Sequence, residues 1–107
     1  MIHLVLVGAT GSIGRSTLDV LRELGPDARL LGAFAGSRLQ ELVRIAREFG
    51  VRYAGLADGG GADALRAALP RTRTGRTEEV LREAISDPDT DVVVSAAGGA
   101  AGLPATL

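Results

Sequence analysis

Several residue types that often carry chemistry are scarce in this chain of 107 residues. It contains no cysteine and no lysine, because all 12 basic residues are arginine, and it has a single histidine. The lack of cysteine excludes disulfide frameworks, thiolate metal sites and cysteine nucleophiles. The lack of lysine excludes a Schiff base or a lysine general base within this stretch of chain.

An excess of charge and long hydrophobic runs are also absent. The formal net charge is −1, which removes any general electrostatic argument for binding nucleic acid or an anionic membrane. The first apolar run, residues 4–7, is far too short to span a bilayer, and no basic segment precedes it. We therefore expect a cytoplasmic protein with neither nucleic acid nor a membrane as its partner.

The hydrophobic residues that are present follow an alternating pattern. They make up 46% of the chain, and short continuous apolar runs alternate with segments of helical periodicity. The runs predict strands over residues 2–7, 29–35, 51–57 and 91–96, of which the first and last should be buried. The periodic segments predict helices over 12–24, 39–49, 62–69 and 77–86, while 71–76 fits either a loop or a minor strand. This order predicts an α/β fold with a doubly wound parallel sheet.

Two helices carry more detailed expectations. In the first helix, Ile13, Leu18, Leu21 and Leu24 predict most of an apolar stripe that faces the core. In the last helix, Thr77 is the expected N-cap residue, since threonine hydroxyls commonly accept a hydrogen bond from the first turn.

The first predicted strand leads into a glycine-rich turn with the pattern G-x-x-G-x-x-G. Gly8 permits a tight turn, Gly11 lets the backbone approach a phosphate, and Gly14 allows the following helix to pack close to the sheet. The N–H groups of residues 10–13 and the helix dipole attract an anion. This pattern predicts a Rossmann-type domain that binds the pyrophosphate of a nicotinamide cofactor. The alternative is a glycine-rich turn without a ligand.

The end of the second predicted strand bears on which nicotinamide cofactor is bound. Domains that prefer NAD usually have a carboxylate here for the ribose 2′-hydroxyl. This strand instead ends in Ala35, Gly36, Ser37 and Arg38. A hydroxyl and a guanidinium suit a 2′-phosphate, which favours NADPH. The alternative is that Arg38 is simply a solvated residue at the start of the second helix.

Other polar residues are more consistent with structural roles. His3 lies in the first strand with no catalytic or metal-binding partner near it in sequence. Asp87, Asp89 and Asp91 alternate around a proline, and a solvated turn explains them better than a cation site. The arginines of residues 71–76 have no aromatic residues between them, which disfavours nucleic-acid binding.

The last residues of the chain suggest two further expectations. The small residues 98–102 follow the last predicted strand, where they could either line the nicotinamide ribose or allow a close helix–strand contact. Residues 102–107 look like the start of another helix, so we expect the chain to be a fragment of a longer protein.

The glycine-rich turn and the helix after it resemble a known signature. Residues 8–20, GATGSIGRSTLDV, are similar to the pattern G-[SA]-T-G-S-I-G-x-[SQ]-T-L-D-V that opens the 1-deoxy-D-xylulose 5-phosphate reductoisomerase family. Further similar segments are residues 35–36, 48–49, 52–54 and 99–106, so the resemblance runs along the whole chain. The first four residues alone also occur in semialdehyde dehydrogenases and other reductases. The extension STLDV makes the resemblance specific.

This resemblance implies an NADPH-dependent enzyme of non-mevalonate isoprenoid biosynthesis, of which residues 1–107 are the NADPH-binding domain. The enzyme rearranges and reduces a phosphorylated sugar, 1-deoxy-D-xylulose 5-phosphate, to 2-C-methyl-D-erythritol 4-phosphate. The positions that carry over as cofactor-binding are Thr10, Gly11, Ser12 and Ile13 at the pyrophosphate, and Gly36, Ser37 and Arg38 at the 2′-phosphate. Many relatives have Lys or Ser, then Asn or Arg, at the last two of these positions.

Other properties of the family are expected to depend on residues beyond Leu107. These are the catalytic and substrate-phosphate residues and the ligands of a divalent metal, Mg²⁺ or Mn²⁺. The whole enzyme is expected to be a homodimer and this stretch alone to be inactive. Two alternatives remain: the cofactor domain of another reductase with a G-A-T-G turn, such as a semialdehyde dehydrogenase, or a non-catalytic NADP-binding module.

Overall fold

A computed structural model describes residues 1–96 of the chain. Its strands are β1 (Ile2–Val7), β2 (Ala28–Ala35), β3 (Tyr53–Leu56), β4 (Arg73–Arg76) and β5 (Val92–Ser95). Its α-helices are α1 (Ser12–Leu24), α2 (Leu39–Phe49), α3 (Ala62–Ala68) and α4 (Thr77–Ser86). Short 3-10 turns cover Gly25–Asp27 and Gly59–Gly61. The segment 71–76, for which the sequence left two options, therefore contains a short strand.

All five strands pair in parallel, in the order β4-β3-β2-β1-β5. The chain starts in β1, moves outward through β2, β3 and β4, and then returns to the other side of β1 with β5. The direction of winding therefore reverses beside β1. The carboxyl ends of the strands at such a reversal form the usual ligand-binding crevice of open α/β sheets.

Both faces of the sheet are covered, as a doubly wound fold requires. Leu4 and Leu6 of β1 face a large apolar cluster that includes buried residues of α1, α2 and α3. Val5 faces the opposite side, where a smaller cluster contains residues of β2 and α4, namely Leu31, Phe34, Val80 and Ala84. The predicted α/β fold with a doubly wound parallel sheet is confirmed.

The two strands that flank this reversal differ in burial. The middle of β1 is buried, as expected for a central parallel strand. The expectation of an equally buried last strand is wrong, because Val92 is exposed and Val93 and Val94 are only half-buried. Within residues 1–96, β5 pairs only with β1 and lies at the edge of the sheet, so its outer side has no neighbouring strand.

The predicted apolar stripe of the first helix is only partly correct. Leu18 and Leu21 are buried, but Ile13 is 58% exposed and Leu24 is also exposed. Helical geometry of about 3.6 residues per turn places Gly14, Leu18 and Leu21 on one face. Gly14 is the third buried member of that face. Ile13 precedes it and is rotated out of the contact.

Thr77 is not the N-cap of the last helix, contrary to expectation. The cap position is occupied by Arg76, which has extended backbone angles, and no side chain caps this helix. Arg76 is the last residue of β4 and pairs with Leu56 of β3, and the helix begins at Thr77 itself, one residue earlier than a threonine cap would require. The Thr77 hydroxyl is buried and has no hydrogen-bond partner within the described residues.

The acidic residues after α4 form a bonded network instead of a solvated turn. The Asp87 side chain is only 7% exposed. It accepts hydrogen bonds of 2.8 Å from the Arg52 guanidinium and of 2.8 Å from the Tyr53 hydroxyl. Asp89 also accepts from Arg52, at 3.1 Å. The expectation of a solvated turn is therefore wrong for Asp87.

His3 and Asp91 form a separate contact at the start of β1. The backbone N–H of His3 donates to the Asp91 carboxylate at 2.8 Å, and His3 Nδ1 lies 3.5 Å from the same oxygen. Asp91 N donates in turn to the carbonyl of His3 at 2.9 Å. These bonds join β1 to the residue before β5, an arrangement that fits the expected structural role of His3.

The Asp87 network makes the stability of the chain depend on pH. Hydrogen bonds from the Asp89 backbone, Tyr53 and Arg52 lower the pKa of Asp87 to about 2 from an ordinary value of 3.8. A carboxylate with a lowered pKa stabilises the fold above its ordinary pKa, and this contribution is lost as pH falls toward the folded-state value. We expect Asp87→Asn to lower the thermal unfolding midpoint by a few degrees near neutral pH. The difference from the wild type should shrink below about pH 4.

Asp63→Asn provides the matched control for this prediction. Asp63 pairs with Arg66 within one helix, but its side chain is 94% exposed, and such pairs contribute little to stability. Circular dichroism melts over a pH series compare the two variants with the wild type. If the unfolding midpoints of Asp87→Asn and the wild type differed by the same amount at all pH values, the lowered pKa of Asp87 would not contribute to stability.

Candidate cofactor-binding site

The turn between β1 and α1 is fastened to the neighbouring strand by backbone hydrogen bonds. The N–H groups of Gly8 and Ala9 donate to the carbonyl oxygen of Phe34 in β2, at 2.8 and 2.9 Å. Gly8 has a φ of +84°, a conformation that glycine adopts without steric cost. Its predicted role in a tight turn is confirmed.

The other two glycines of the turn differ in what restricts them. A Cβ on Gly14 would lie 2.2 Å from the carbonyl oxygen of Gly8, so α1 approaches the turn too closely for any side chain there. This confirms the predicted packing role of Gly14. A Cβ on Gly11 would meet only Gly8 O, at an ordinary 3.7 Å, and Gly11 has an ordinary φ of −82°. The fold itself therefore does not require glycine at position 11.

Several N–H groups of the turn are available to a ligand. Within residues 1–96, the N–H groups of Thr10, Ser12, Ile13 and Gly14 donate no hydrogen bond, whereas Gly11 N donates to Gly8 O at 3.2 Å. The first turn of a helix leaves such donors unsatisfied, and the helix dipole adds partial positive charge there. Ser12 and Ile13 are exposed and Thr10 is buried. The turn can therefore receive an anion such as a pyrophosphate.

The loop after β2 lies at the same edge of the sheet. Val7 of β1 pairs in parallel with Phe34 of β2, so the segments that follow these residues emerge side by side. Gly36, Ser37 and Arg38 are all exposed, and the Arg38 side chain is 63% exposed. The seven residues predicted to bind the cofactor are thus brought to one edge of the sheet, in two neighbouring segments.

Two residues that sequence reasoning missed lie beside this loop. The Arg15 guanidinium of α1 donates two hydrogen bonds to the Glu41 carboxylate of α2, one to each oxygen. The distance from Nε to Oε2 is 2.9 Å and that from Nη2 to Oε1 is 3.1 Å. This contact lowers the pKa of Glu41. Arg38 Nη1 lies 3.7 Å from the same Oε1. The spacing of Arg38 and Glu41 along a helix is a sequence signal for their contact, but nothing in the sequence links Arg15 to Glu41.

Some of the residues on which the sequence analysis relied are not described by the structure. The small residues 98–102 and the expected helix over 102–107 lie outside the described residues. Among residues 1–96, no three histidine, aspartate or glutamate side chains are grouped as a metal site would require. No helix in this same range is both long enough and apolar enough to cross a membrane.

The fold and the turn together define a class of protein. A parallel sheet that carries a glycine-rich turn beside its winding reversal is a Rossmann-type fold, in which that crevice binds dinucleotides. Comparison with known sequences narrows the class. The family model described as 1-deoxy-D-xylulose 5-phosphate reductoisomerase matches residues 4–107. The chain belongs to this family.

Individual relatives agree with this assignment. The reductoisomerase of Ralstonia pickettii is 40% identical over 111 residues, which cover 100% of this chain and 28% of that protein. The one from Nitrobacter winogradskyi is 42% identical over 104 residues, which cover 95% of this chain and 25% of that protein. The chain thus spans about a quarter of the length of these relatives.

Solved structures show the same fold. A DOX-P reductoisomerase in complex with NADPH, fosmidomycin and magnesium superposes with a TM-score of 0.82 and 30% identity, covering 90% of this chain and 24% of that chain. The Zymomonas mobilis enzyme in complex with NADPH gives a TM-score of 0.73 and 26% identity, covering 82% of this chain and 24% of that chain.

Proposed function

We propose that residues 1–107 form one domain that binds NADPH. This domain is the N-terminal cofactor-binding part of an enzyme that converts 1-deoxy-D-xylulose 5-phosphate to 2-C-methyl-D-erythritol 4-phosphate. Family membership supports the reaction, and the related structures in complex with NADPH support the cofactor. The match of the family model to residues 4–107 favours this proposal over a semialdehyde dehydrogenase or a non-catalytic module.

The main support for the proposal is Gly11, a glycine that the fold itself does not require. Neither a protein contact nor an unusual φ explains why this residue is glycine. A cofactor phosphate that lies close to the main chain would explain a glycine at this position, because any Cβ would occupy the space of the phosphate. We propose that Thr10, Gly11, Ser12 and Ile13 hold the pyrophosphate through the unsatisfied N–H groups of this turn.

The loop after β2 supports NADPH over NADH. The strand ends without a carboxylate, and the exposed Arg38 offers a forked set of donors beside the Ser37 hydroxyl. A guanidinium binds a phosphate through paired, charge-assisted hydrogen bonds. We propose that Gly36, Ser37 and Arg38 surround the adenosine 2′-phosphate.

The part that this chain plays in the reaction is binding and orientation. NADPH, when bound, supplies the hydride for the reduction step. The two loops would hold the pyrophosphate and the adenosine end of the cofactor and so orient it at this edge of the sheet. We propose that the catalytic, substrate-binding and metal-binding residues lie outside this chain. A homodimeric whole enzyme remains a prediction from the resemblance, and a cytoplasmic location remains a prediction from the sequence.

Calorimetric titration of the chain with NADPH and NADH tests the proposal. We expect NADPH to bind more tightly, and Arg38→Ala to weaken NADPH binding by about tenfold or more, because hydrogen bonds to charged groups contribute roughly 1.5–3 kcal/mol. The affinity for NADH should change little.

Arg82→Ala is the matched control for this titration. Arg82 is an exposed arginine of α4 that forms no ion pair within the described residues. Its replacement by alanine should leave the affinities for NADPH and NADH unchanged. Equal binding of NADH and NADPH by the wild-type chain would rule out the role given to Arg38.

A further inference from the structure

A carboxylate joins two arginines at the edge of the sheet where the cofactor is proposed to bind. Glu41 lies in the first turn of α2, Arg15 in the first turn of α1, and Arg38 immediately before α2. Arg15 Nη2 and Arg38 Nη1 reach the same oxygen of Glu41, at 3.1 and 3.7 Å. The three side chains therefore form one cluster, the Arg15–Glu41–Arg38 cluster, which has two positive charges and one negative charge.

The hydrogen bonds within this cluster determine what it can bind. Both oxygens of Glu41 already accept from Arg15, so the carboxylate is committed to arginine and is a poor acceptor for a ribose hydroxyl. Arg15 uses only Nε and Nη2 for this contact. A guanidinium has five donor hydrogens, and within residues 1–96 Nη1 of Arg15 donates to no acceptor. The cluster therefore presents unused cationic donors and carries a net positive charge.

A second arginine–glutamate pair between the same helices shows which part of this arrangement is structural. Arg22 of α1 binds Glu48 of α2 in the same two-bond geometry, two helical turns further along, at 2.5 and 2.7 Å. That pair already joins the two helices at the opposite end, where Arg22 also lies over the Phe49 ring. The Arg15 pair differs because it lies at the carboxyl edge of the sheet and because a second arginine contacts its carboxylate.

We infer that Arg15 supplies a second guanidinium for the adenosine 2′-phosphate, and that Glu41 is a positioning residue that holds Arg15 beside Arg38. This inference rests on the proposed function, since it assigns further residues to the same subsite. A dianionic phosphate is better matched by two guanidinium groups than by one. The intervening carboxylate reduces the repulsion between the two arginines when no cofactor is bound.

Substitutions at Arg15 and Glu41, measured by calorimetry with NADPH and NADH at fixed ionic strength, test the inference. We expect Arg15→Ala to weaken NADPH binding by about tenfold and to leave NADH binding unchanged. Glu41→Gln removes a negative charge close to the phosphate, so simple electrostatics predicts tighter NADPH binding. A positioning role predicts the opposite, a weakening of about threefold.

Arg22→Ala and Glu48→Gln are the matched controls, because they break the equivalent pair away from the cofactor edge. Both should leave the ratio of NADPH to NADH affinity unchanged. Tighter NADPH binding by Glu41→Gln, or an unchanged ratio in Arg15→Ala, would overturn the inference. In that case a preference for NADPH that depends on Arg38 would still support the proposed function. If the wild-type chain showed no preference for NADPH over NADH, the result would instead contradict the proposed function itself.

Discussion

Gly14→Ala is expected to destabilise the chain by at least about 3 kcal/mol, at the upper end of what overpacking usually costs. The added Cβ would lie 2.2 Å from Gly8 O and 2.8 Å from the backbone of Ala9. These are backbone atoms held by two hydrogen bonds to Phe34, so no side-chain rotation can relieve the overlap. Either α1 moves off the sheet or the turn leaves β2. Urea unfolding followed by circular dichroism measures the change.

Gly11→Ala is the matched control three residues earlier. Its Cβ would meet nothing closer than 3.7 Å, and loss of a glycine N-cap costs no more than about 1 kcal/mol. This variant should therefore fold while it binds NADPH more weakly. If Gly14→Ala unfolded at the same urea concentration as Gly11→Ala, the close packing of α1 against the turn would not be a determinant of stability.

Phe34→Ala is expected to have a comparable effect, a loss of about 3–5 kcal/mol. Phe34 is fully buried and is among the largest of the fully buried side chains. Its ring lies against two glycines, since a Cβ on Gly55 would be 2.9 Å from Phe34 Cδ1 and one on Gly32 would be 3.1 Å from Cε2. Because neither glycine has a side chain that could fill the space, removal of the ring leaves a cavity.

Phe49→Ala is the control with the same chemical change. Phe49 is the other phenylalanine of the chain, and it is only half-buried at the end of α2. We expect it to lose about half as much stability or less, because less apolar surface returns to water. Chemical unfolding measures both variants. If both lost the same free energy of unfolding, burial of the Phe34 ring would contribute no more to stability than that of the half-buried Phe49 ring.

The helices were the part of the fold most readily predicted from sequence. The bounds of α1, α2 and α4 agree with the periodic segments 12–24, 39–49 and 77–86. Glycines end the first two: Gly25 and Gly50 both have positive φ and follow the last helical residue. Local signals were sufficient there, because both the periodicity and the stop are encoded within one helix.

The short strands depended on contacts that no local pattern contains. The segment 71–76 has no alternation of apolar and polar residues, and it becomes β4 because Arg73 to Arg76 pair with β3. The same pairing extends to Arg76, which takes the N-cap position, so that α4 begins at Thr77 and Thr77 is not its cap. The exposure of β5 likewise follows from its position at the edge of the sheet formed by residues 1–96, which the order of elements along the chain did not reveal.

The candidate site was predicted in position but not in full composition. Parallel pairing of β1 and β2 necessarily brings the glycine-rich turn and residues 36–38 to one edge. Arg15 and Glu41 are 26 residues apart and meet only because two helices pack side by side with a particular rotation. Such a contact depends on helix packing and rotamer, so the sequence alone could not predict it.

The two bonds from Gly8 N and Ala9 N to Phe34 O have a consequence for how cofactor preference can change. The same strand, β2, that holds the phosphate-binding turn also leads directly into the loop at positions 36–38. Main-chain bonds therefore connect the two ends of the proposed site, and these bonds do not depend on which side chains follow the strand. Exchanges at positions 37 and 38 are then expected to alter the preference between NADPH and NADH while the backbone of the proposed pyrophosphate-binding turn keeps its place beside β2.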